Sequence, residues 1–183
     1  MVEIILIVIL VIIMALLFTW AFGNIKNKVP FIGASRKVLK DIEKALDIKD
    51  NSVVYDLGSG DGRILFYLSK NNKNAKYIGV ENSSFPIFLS KIINFFNFKK
   101  TGAHIKIVNN DFFKEDLSNA THIFMYLYPS IMDELLSKFG KELKSGTKIV
   151  SLSFQFNGKI PNEEIDLHRS KNKLNRRLYV YQF

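Results

Sequence analysis

Hydrophobic positions along this chain fall into three regimes. The first is unbroken: Ile4 to Phe22 is nineteen residues without a charge, and Thr19 is the one polar type among them. As a helix it would span roughly 28 Å at about 1.5 Å per residue, close to the ~30 Å hydrocarbon core of a bilayer. A cleaved signal peptide fits poorly, because Glu3 and no basic residue precedes the run and the run exceeds the usual ~7–15 residues. The run also lacks the polar face of a core helix. The pattern therefore predicts one N-terminal transmembrane helix as an anchor, residues 1–23, spanning the bilayer through residues 4–22. A Gly- and Pro-punctuated linker follows at 24–34.

In the second regime short apolar runs alternate with helical patterns. Ser35 is placed to cap a helix whose apolar face is Val38, Leu39, Ile42 and Leu46. "SVVYDL" reads as a strand and "GRILFYLSK" as a helix; "AKYIGVE" is a second strand, followed by a helix with Pro86 near its first turn. "HIKIVNND" and "ATHIFMYL" are the third and fourth strands, Pro129 opens a helix to about Phe139, and "TKIVSLSF" is the fifth strand. Such alternation predicts an α/β domain over 35–183, its parallel sheet covered by helices on both faces. The third regime breaks the pattern: "EEIDLH" and "RRLYVYQF" are strand-like with only "RSKNKLN" between them. That is too short for a helical crossover, so these two should pair antiparallel.

The stretch "VVYDLGSGDGR" packs Gly58, Gly60 and Gly62 behind the end of the first strand. Three glycines in five residues imply a backbone that bends sharply or approaches a ligand closely. The spacing is not the dinucleotide G-x-G-x-x-G, since Arg63 stands where the third glycine belongs, and the Gly-Lys-Ser/Thr of a P-loop is missing. Parallel sheets bind ligands at the carboxyl ends of their strands, where the strand order reverses. Acids recur at such ends. Glu81 closes the second strand 25 residues after Asp56, where a carboxylate can accept both hydroxyls of a ribose. Asp111 closes the third strand beside Phe112; the acid can accept from an adenine amino group while the ring covers the base. Asp56 adds an acceptor suited to a cationic ligand. A nucleoside site with a cation partner and no phosphate grip points to S-adenosylmethionine.

At these residues the chain resembles a known family. "YDLGSGDGR", "GVENS", "NNDFF" and "ELKSGTKIVS" look like the successive motifs of class I, seven-strand methyltransferases. "VPFIGAS" and "SFQFNGKIP" are similar to one branch of it, small protein-lysine methyltransferases that include archaeal broad-specificity enzymes and membrane-anchored mitochondrial ones. The resemblance implies a Rossmann-like sheet of order 3-2-1-4-5-7-6. It implies cofactor roles for Asp56, Gly58, Gly60, Glu81 and Asp111, and a protein lysine as the acceptor, in some members on a membrane protein.

On the acceptor side, the fourth strand should end beside the first, so "FMYLYPS" would face the transferable methyl. The polar-Pro-Pro-aromatic motif of many amino-methylating relatives is replaced by Tyr126, Leu127, Tyr128 and Pro129, which removes the Asn or Asp that would hold an adenine or glutamine amino group and disfavours nucleic acid. Tyrosines suit a lysine channel, because aromatic faces hold a cation and its methylated forms. Tyr128 is the catalytic-site candidate; Tyr126 reads equally as core, and Phe31, Ser35 and Phe154 are candidates for the wall. Ser83 to Lys100 is a further helix with a narrow polar stripe of Ser90, Lys91, Asn94 and Asn97. Two readings stay open for its broad Phe and Ile face: burial against the sheet, or contact with the bilayer or a membrane protein, with Lys99 and Lys100 at the headgroups.

Charge adds an orientation. No Lys or Arg precedes the anchor, whereas Lys26, Lys28, Arg36, Lys37 and Lys40 follow it, so the domain should face the cytoplasm. Beyond residue 22 the chain holds 26 basic against 16 acidic residues, a net of +10. Such a surface favours anionic lipid, acidic protein faces or nucleic acid, or is simply solvated. With no cysteine there is no thiol chemistry, and His104, His122 and His168 lack metal-ligand spacing.

Overall fold

The computed structural model describes residues 2–26, 33–101, 105–167 and 176–183. Helix α1 covers Val2–Lys26, three residues past the expected end of the anchor. Its large apolar side chains from Val2 to Phe18 are exposed all round. Among the described residues no helix is long and apolar enough to cross a membrane. The side chains of Thr19 to Phe22, the end of the expected span, lie outside the described ones, as do Phe31 and most of the linker.

The domain begins as the cap predicts: Ser35 accepts from the Lys37 N–H at 3.3 Å and starts a 3-10 turn, Arg36–Val38, that runs into α2, Leu39–Leu46. Strands β1 (Val53–Leu57), β2 (Lys76–Glu81), β3 (Ile105–Asn109), β4 (His122–Met125), β5 (Lys148–Leu152), β6 (Glu163–Asp166) and β7 (Arg177–Gln182) form one sheet. Its order is β3-β2-β1-β4-β5-β7-β6, as expected. Strand β1 pairs parallel with both β2 and β4, and β7 pairs antiparallel with β5 and β6. The chain winds outward from β1 to β3 and then returns to β4 on β1's other side, which opens a crevice at the carboxyl ends of β1 and β4.

Period-two alternation sorts β1 between the two faces. Val54 packs with α2 and α3 (Arg63–Asn71) through Ile42, Leu46, Leu65 and Leu68. Tyr55 and Leu57 pack on the other face with Met132, Leu135 and Phe139 of α5, Pro129–Glu142. Ile42, Leu46 and Leu65 are fully buried, each contributing roughly 1.5–3 kcal/mol of hydrophobic stabilisation.

Helix α4, Ser84–Thr101, departs from the expected polarity. Ser90 of the expected polar stripe is fully buried and donates to the Ile87 carbonyl at 2.8 Å; Asn94 donates inward to the Ile105 carbonyl at 2.8 Å. The face turned outward carries Phe88, Ile92, Phe95 and Phe96. Backbone carbonyls accept from both inward side chains, but the Asn94 Oδ1 stays buried without a partner. The side chains of Asn97, Lys99 and Lys100 lie outside the described ones.

Candidate cofactor and methyl-acceptor site

Beyond Leu57 the chain turns at once. The N–H groups of Gly58 and Ser59 both donate to the Val80 carbonyl, at 2.9 and 3.1 Å, and the Gly62 N–H donates to the Ser59 carbonyl at 2.9 Å. This fold-back requires φ of +74°, +56° and +78° at Gly58, Gly60 and Gly62, a region costly for any residue with a Cβ. The three glycines are therefore there to make the turn that carries the chain from β1 into α3.

Glu81 is bound to that turn. Its Oε2 accepts from the buried Gly60 N–H at 2.9 Å, while Oε1 accepts from the Asn82 and Ser83 N–H groups at 3.0 and 2.9 Å. A carboxylate offers about four acceptor positions, so three are engaged and about one is left for a ligand hydroxyl. The expectation that Glu81 is simply a ribose acceptor thus missed a second job, holding the glycine turn.

Asp56 lies near the end of β1, 2 % exposed, and its Oδ2 has no hydrogen-bond partner. Burial pushes this carboxyl well above its usual range, and the negative charges of Glu81 and Asp61 push it further. A buried acid with an unpartnered oxygen calls for a cation. It lines an open cleft together with Gly33, Ala34, Gly58, Phe124 and Tyr126.

One wall of the cleft was not foreseen. The Arg63 guanidinium forks onto Asp61, with Nε 2.9 Å from Oδ1 and Nη2 2.7 Å from Oδ2, and its Nη1 donates to the Ala34 carbonyl at 3.3 Å. A Cβ on Gly33 would sit 2.8 Å from Nη1, so any larger residue there would have to push the guanidinium aside. The opposite charges two residues apart in D-G-R were a visible signal; the contact to Ala34, 29 residues away in sequence, was not.

Asp111 lies two residues beyond the end of β3 instead of closing it. Its Oδ1 accepts from the Phe113 N–H at 2.9 Å, fixing the turn that carries Phe112, whose ring lies 4.9 Å from that of Phe113. Both are half-buried. On the acceptor side, β4 ends at Met125 and Tyr128 precedes α5, with Pro129 at its first position. Tyr126 and Tyr128 both stack on Phe154, at 6.2 and 5.8 Å between ring centres and 23° between planes. Tyr126 lines the cleft as well as packing on the core. Burial pushes its phenol above the usual range, against the opposing pull of a hydrogen bond with Ser153.

The ANTKMT methyltransferase domain matches residues 56–163, from the buried acid of β1 to the start of β6. The chain belongs to this family. It is 33% identical over 155 residues to a protein-lysine N-methyltransferase of Saccharolobus islandicus, covering 84% of this chain and 92% of the relative. It is 27% identical over 132 residues to the adenine nucleotide translocase lysine N-methyltransferase of Mus musculus, covering 71% of this chain and 55% of that protein. The chain thus spans about half the length of the mouse relative. Among solved structures it is similar to an RNA methyltransferase from Salinibacter ruber in complex with S-adenosyl-L-homocysteine, with a TM-score of 0.72 and 26% identity over 82% of this chain and 93% of that one. The chain is accordingly an S-adenosylmethionine-dependent methyltransferase. The ANTKMT family's cofactor fits the residues of the cleft, which offer an unpaired buried acid for its cationic end and an acid-tied glycine turn.

Proposed function

We propose that this chain is a membrane-anchored protein-lysine N-methyltransferase. The observation that supports the acceptor best is the aromatic stack of Tyr126, Phe154 and Tyr128 at the carboxyl ends of β4 and β5, which stands where many amino-methylating relatives place a polar group that holds the acceptor's amino group. The names of the archaeal and mouse relatives agree with it.

In this reading Asp56 holds the cationic end of the cofactor, Gly58 and Gly60 let it approach the backbone, Glu81 takes a ribose hydroxyl, and Asp111 with Phe112 holds the adenine. When bound, S-adenosylmethionine supplies a methyl group already activated by a positively charged sulfur. The protein's share is placement. Tyr128 and Phe154 align the lysine amine, because in-line transfer needs the reacting atoms about 3–3.5 Å apart. The amine must be neutral, which at pH 7 costs about 4.6 kcal/mol for an ordinary lysine of pKa about 10.4. Burial beside the cofactor's positive sulfur would lower that cost by disfavouring the ammonium. We assign no general base.

The anchor reading rests on the uncharged run from Ile4 to Phe22 and on the exposure of the large apolar side chains from Val2 to Phe18. With basic residues following and none preceding, the catalytic domain stands on the cytoplasmic side, and a membrane protein is the favoured substrate. The division into anchor 1–23, linker 24–34 and domain 35–183 belongs to the same reading.

Labelled S-adenosylmethionine supplied to the full-length protein with host membranes and, separately, with total RNA tests the acceptor. Label on lysine side chains of membrane proteins is the expected result. Label on a lipid headgroup, a small amine or RNA would replace the lysine reading.

A further inference from the structure

We infer that the outward face of α4 is a second membrane contact, lying in the headgroup region of the bilayer beside α1; this rests on the anchor reading above. A helix packed on a sheet ordinarily turns its apolar stripe inward and its polar residues to water. Helix α4 turns only part of its apolar surface inward, through Ile87 and Ile93. It buries Ser90 completely, turns Asn94 inward with its Oδ1 buried and unpartnered, and exposes Phe88, Ile92, Phe95 and Phe96 by 52%, 41%, 57% and 65%. These four recur at helical spacing along one stripe, about 12 Å long at roughly 1.5 Å per residue. Among the described residues beyond α1, the only other exposed large hydrophobic is Ile160, which stands alone in a loop. Among the described residues of the domain, the exposed large apolar side chains are thus gathered on one helix, Ile160 apart.

That helix is also the one against which α1 packs. A helix that enters the bilayer holds its packing partner at the bilayer margin, so the stripe has an apolar phase within reach. Large aromatic and aliphatic side chains on one face, with a lysine (Lys91) exposed on the same helix and a net charge of +9 on the chain, are the composition of a surface that settles about 5–10 Å into the headgroup boundary of anionic lipid. A contact of this kind adds an orientation that a single spanning helix lacks. It sets the sheet's α4 side toward the lipid and brings the start of α4, which directly follows Glu81 and Ser83, to the membrane plane.

The chain has no cysteine, so single labels can be placed without background. Full-length protein carrying Phe88→Cys, Ile92→Cys or Phe96→Cys, each with a nitroxide, is reconstituted into mixed phosphatidylcholine and phosphatidylglycerol vesicles. Relaxation by oxygen, which partitions into lipid, is compared with relaxation by a water-soluble nickel chelate. Ile160→Cys is the water reference, Leu10→Cys reports on α1, and retained binding of S-adenosylhomocysteine shows that each variant is folded. The ratio of oxygen to nickel relaxation is expected to be several-fold higher at 88, 92 and 96 than at 160. Ratios equal to that at 160 put the face in water and overturn the inference. Protection from both reagents means that protein covers the face, a second copy or α1 itself, and overturns it too. A lipid signal at Leu10 alone leaves the anchor standing without the α4 contact, whereas a water signal at Leu10 removes the anchor itself.

Discussion

Glu81→Ala removes three acceptors from backbone N–H groups at once, one of them on the buried Gly60. Hydrogen bonds to a charged group contribute about 1.5–3 kcal/mol each, and the Asn82 and Ser83 groups can turn to water, so the loss should be on the order of 4 kcal/mol. For a domain of this size a kcal/mol shifts the midpoint by about 2–4 °C, giving a fall of roughly 10 °C. The fourth acceptor position is the one available to a ribose hydroxyl, and its loss should weaken S-adenosylhomocysteine binding by about ten- to a hundred-fold. Glu81→Gln separates the two jobs. Its carbonyl can keep the Asn82 and Ser83 bonds while its amide opposes the Gly60 N–H, so the midpoint should fall less and the affinity about as much. Circular dichroism melting in detergent and calorimetric titration at a temperature well below both midpoints read the two effects. An unchanged midpoint in the Ala variant would mean that these bonds do not hold the turn. Unchanged affinity in a folded variant would remove Glu81 from the ribose site.

Three further outcomes follow from the same geometry. The Asp56 carboxyl, raised by burial and by Glu81 and Asp61, favours its neutral form in the folded protein, so its contribution to stability is complete below the ordinary value of 3.8 and is lost as pH rises through the raised one. A bound cation lowers it again, so cofactor binding should release a proton and tighten as pH rises through that window; calorimetry in buffers of different ionisation enthalpy should show the release, and Asp56→Asn should abolish it. Tyr128→Phe should keep most of the methylation rate if the ring alone lines the channel, and Tyr128→Ala should lose it, both with cofactor affinity unchanged; a fully active Ala variant would take Tyr128 out of the site. Deleting residues 1–23 should leave methylation of a soluble lysine peptide intact and sharply reduce that of a membrane-embedded substrate at low enzyme concentration, because tethering supplies an effective concentration in the millimolar range for short linkers. Equal rates on the membrane substrate would show that the tether does not find the target.

The sheet was legible because its signals are local. Each strand is an apolar run bounded by turn residues, and the brevity of the connection before "RRLYVYQF" sufficed to pair the last two strands antiparallel. The acids Asp56 and Glu81 were legible for the same reason, since a strand's end can be read from where its apolar run stops. That reading placed the end of β3 two residues late, because Asp111 is held by a turn of its own making to the Phe113 N–H rather than by the ladder. For helix α4 the sequence left two readings open. Periodicity shows that a helix has two unlike faces; which one meets the sheet depends on partners elsewhere, here the Ile105 carbonyl that accepts from Asn94. The clamp of Arg63 on Ala34 was illegible because its two ends are joined only by the fold.

That clamp sets a length. Ala34 is held at the rim of the cleft by Arg63, and α1 ends at Lys26. Whatever course the chain takes between them, the eight steps from Lys26 to Ala34 can stretch no further than about 29 Å at roughly 3.6 Å per residue. In an anchored enzyme the mouth of the cleft is therefore on a short leash whose length is counted from the clamp and not from the first helix of the domain. Lysines displayed in a shallow layer next to the bilayer are in range, while a side chain held farther out on a rigid partner is never presented. Selection of the target by depth would then come from chain geometry alone, before any contact in the site distinguishes one lysine from another.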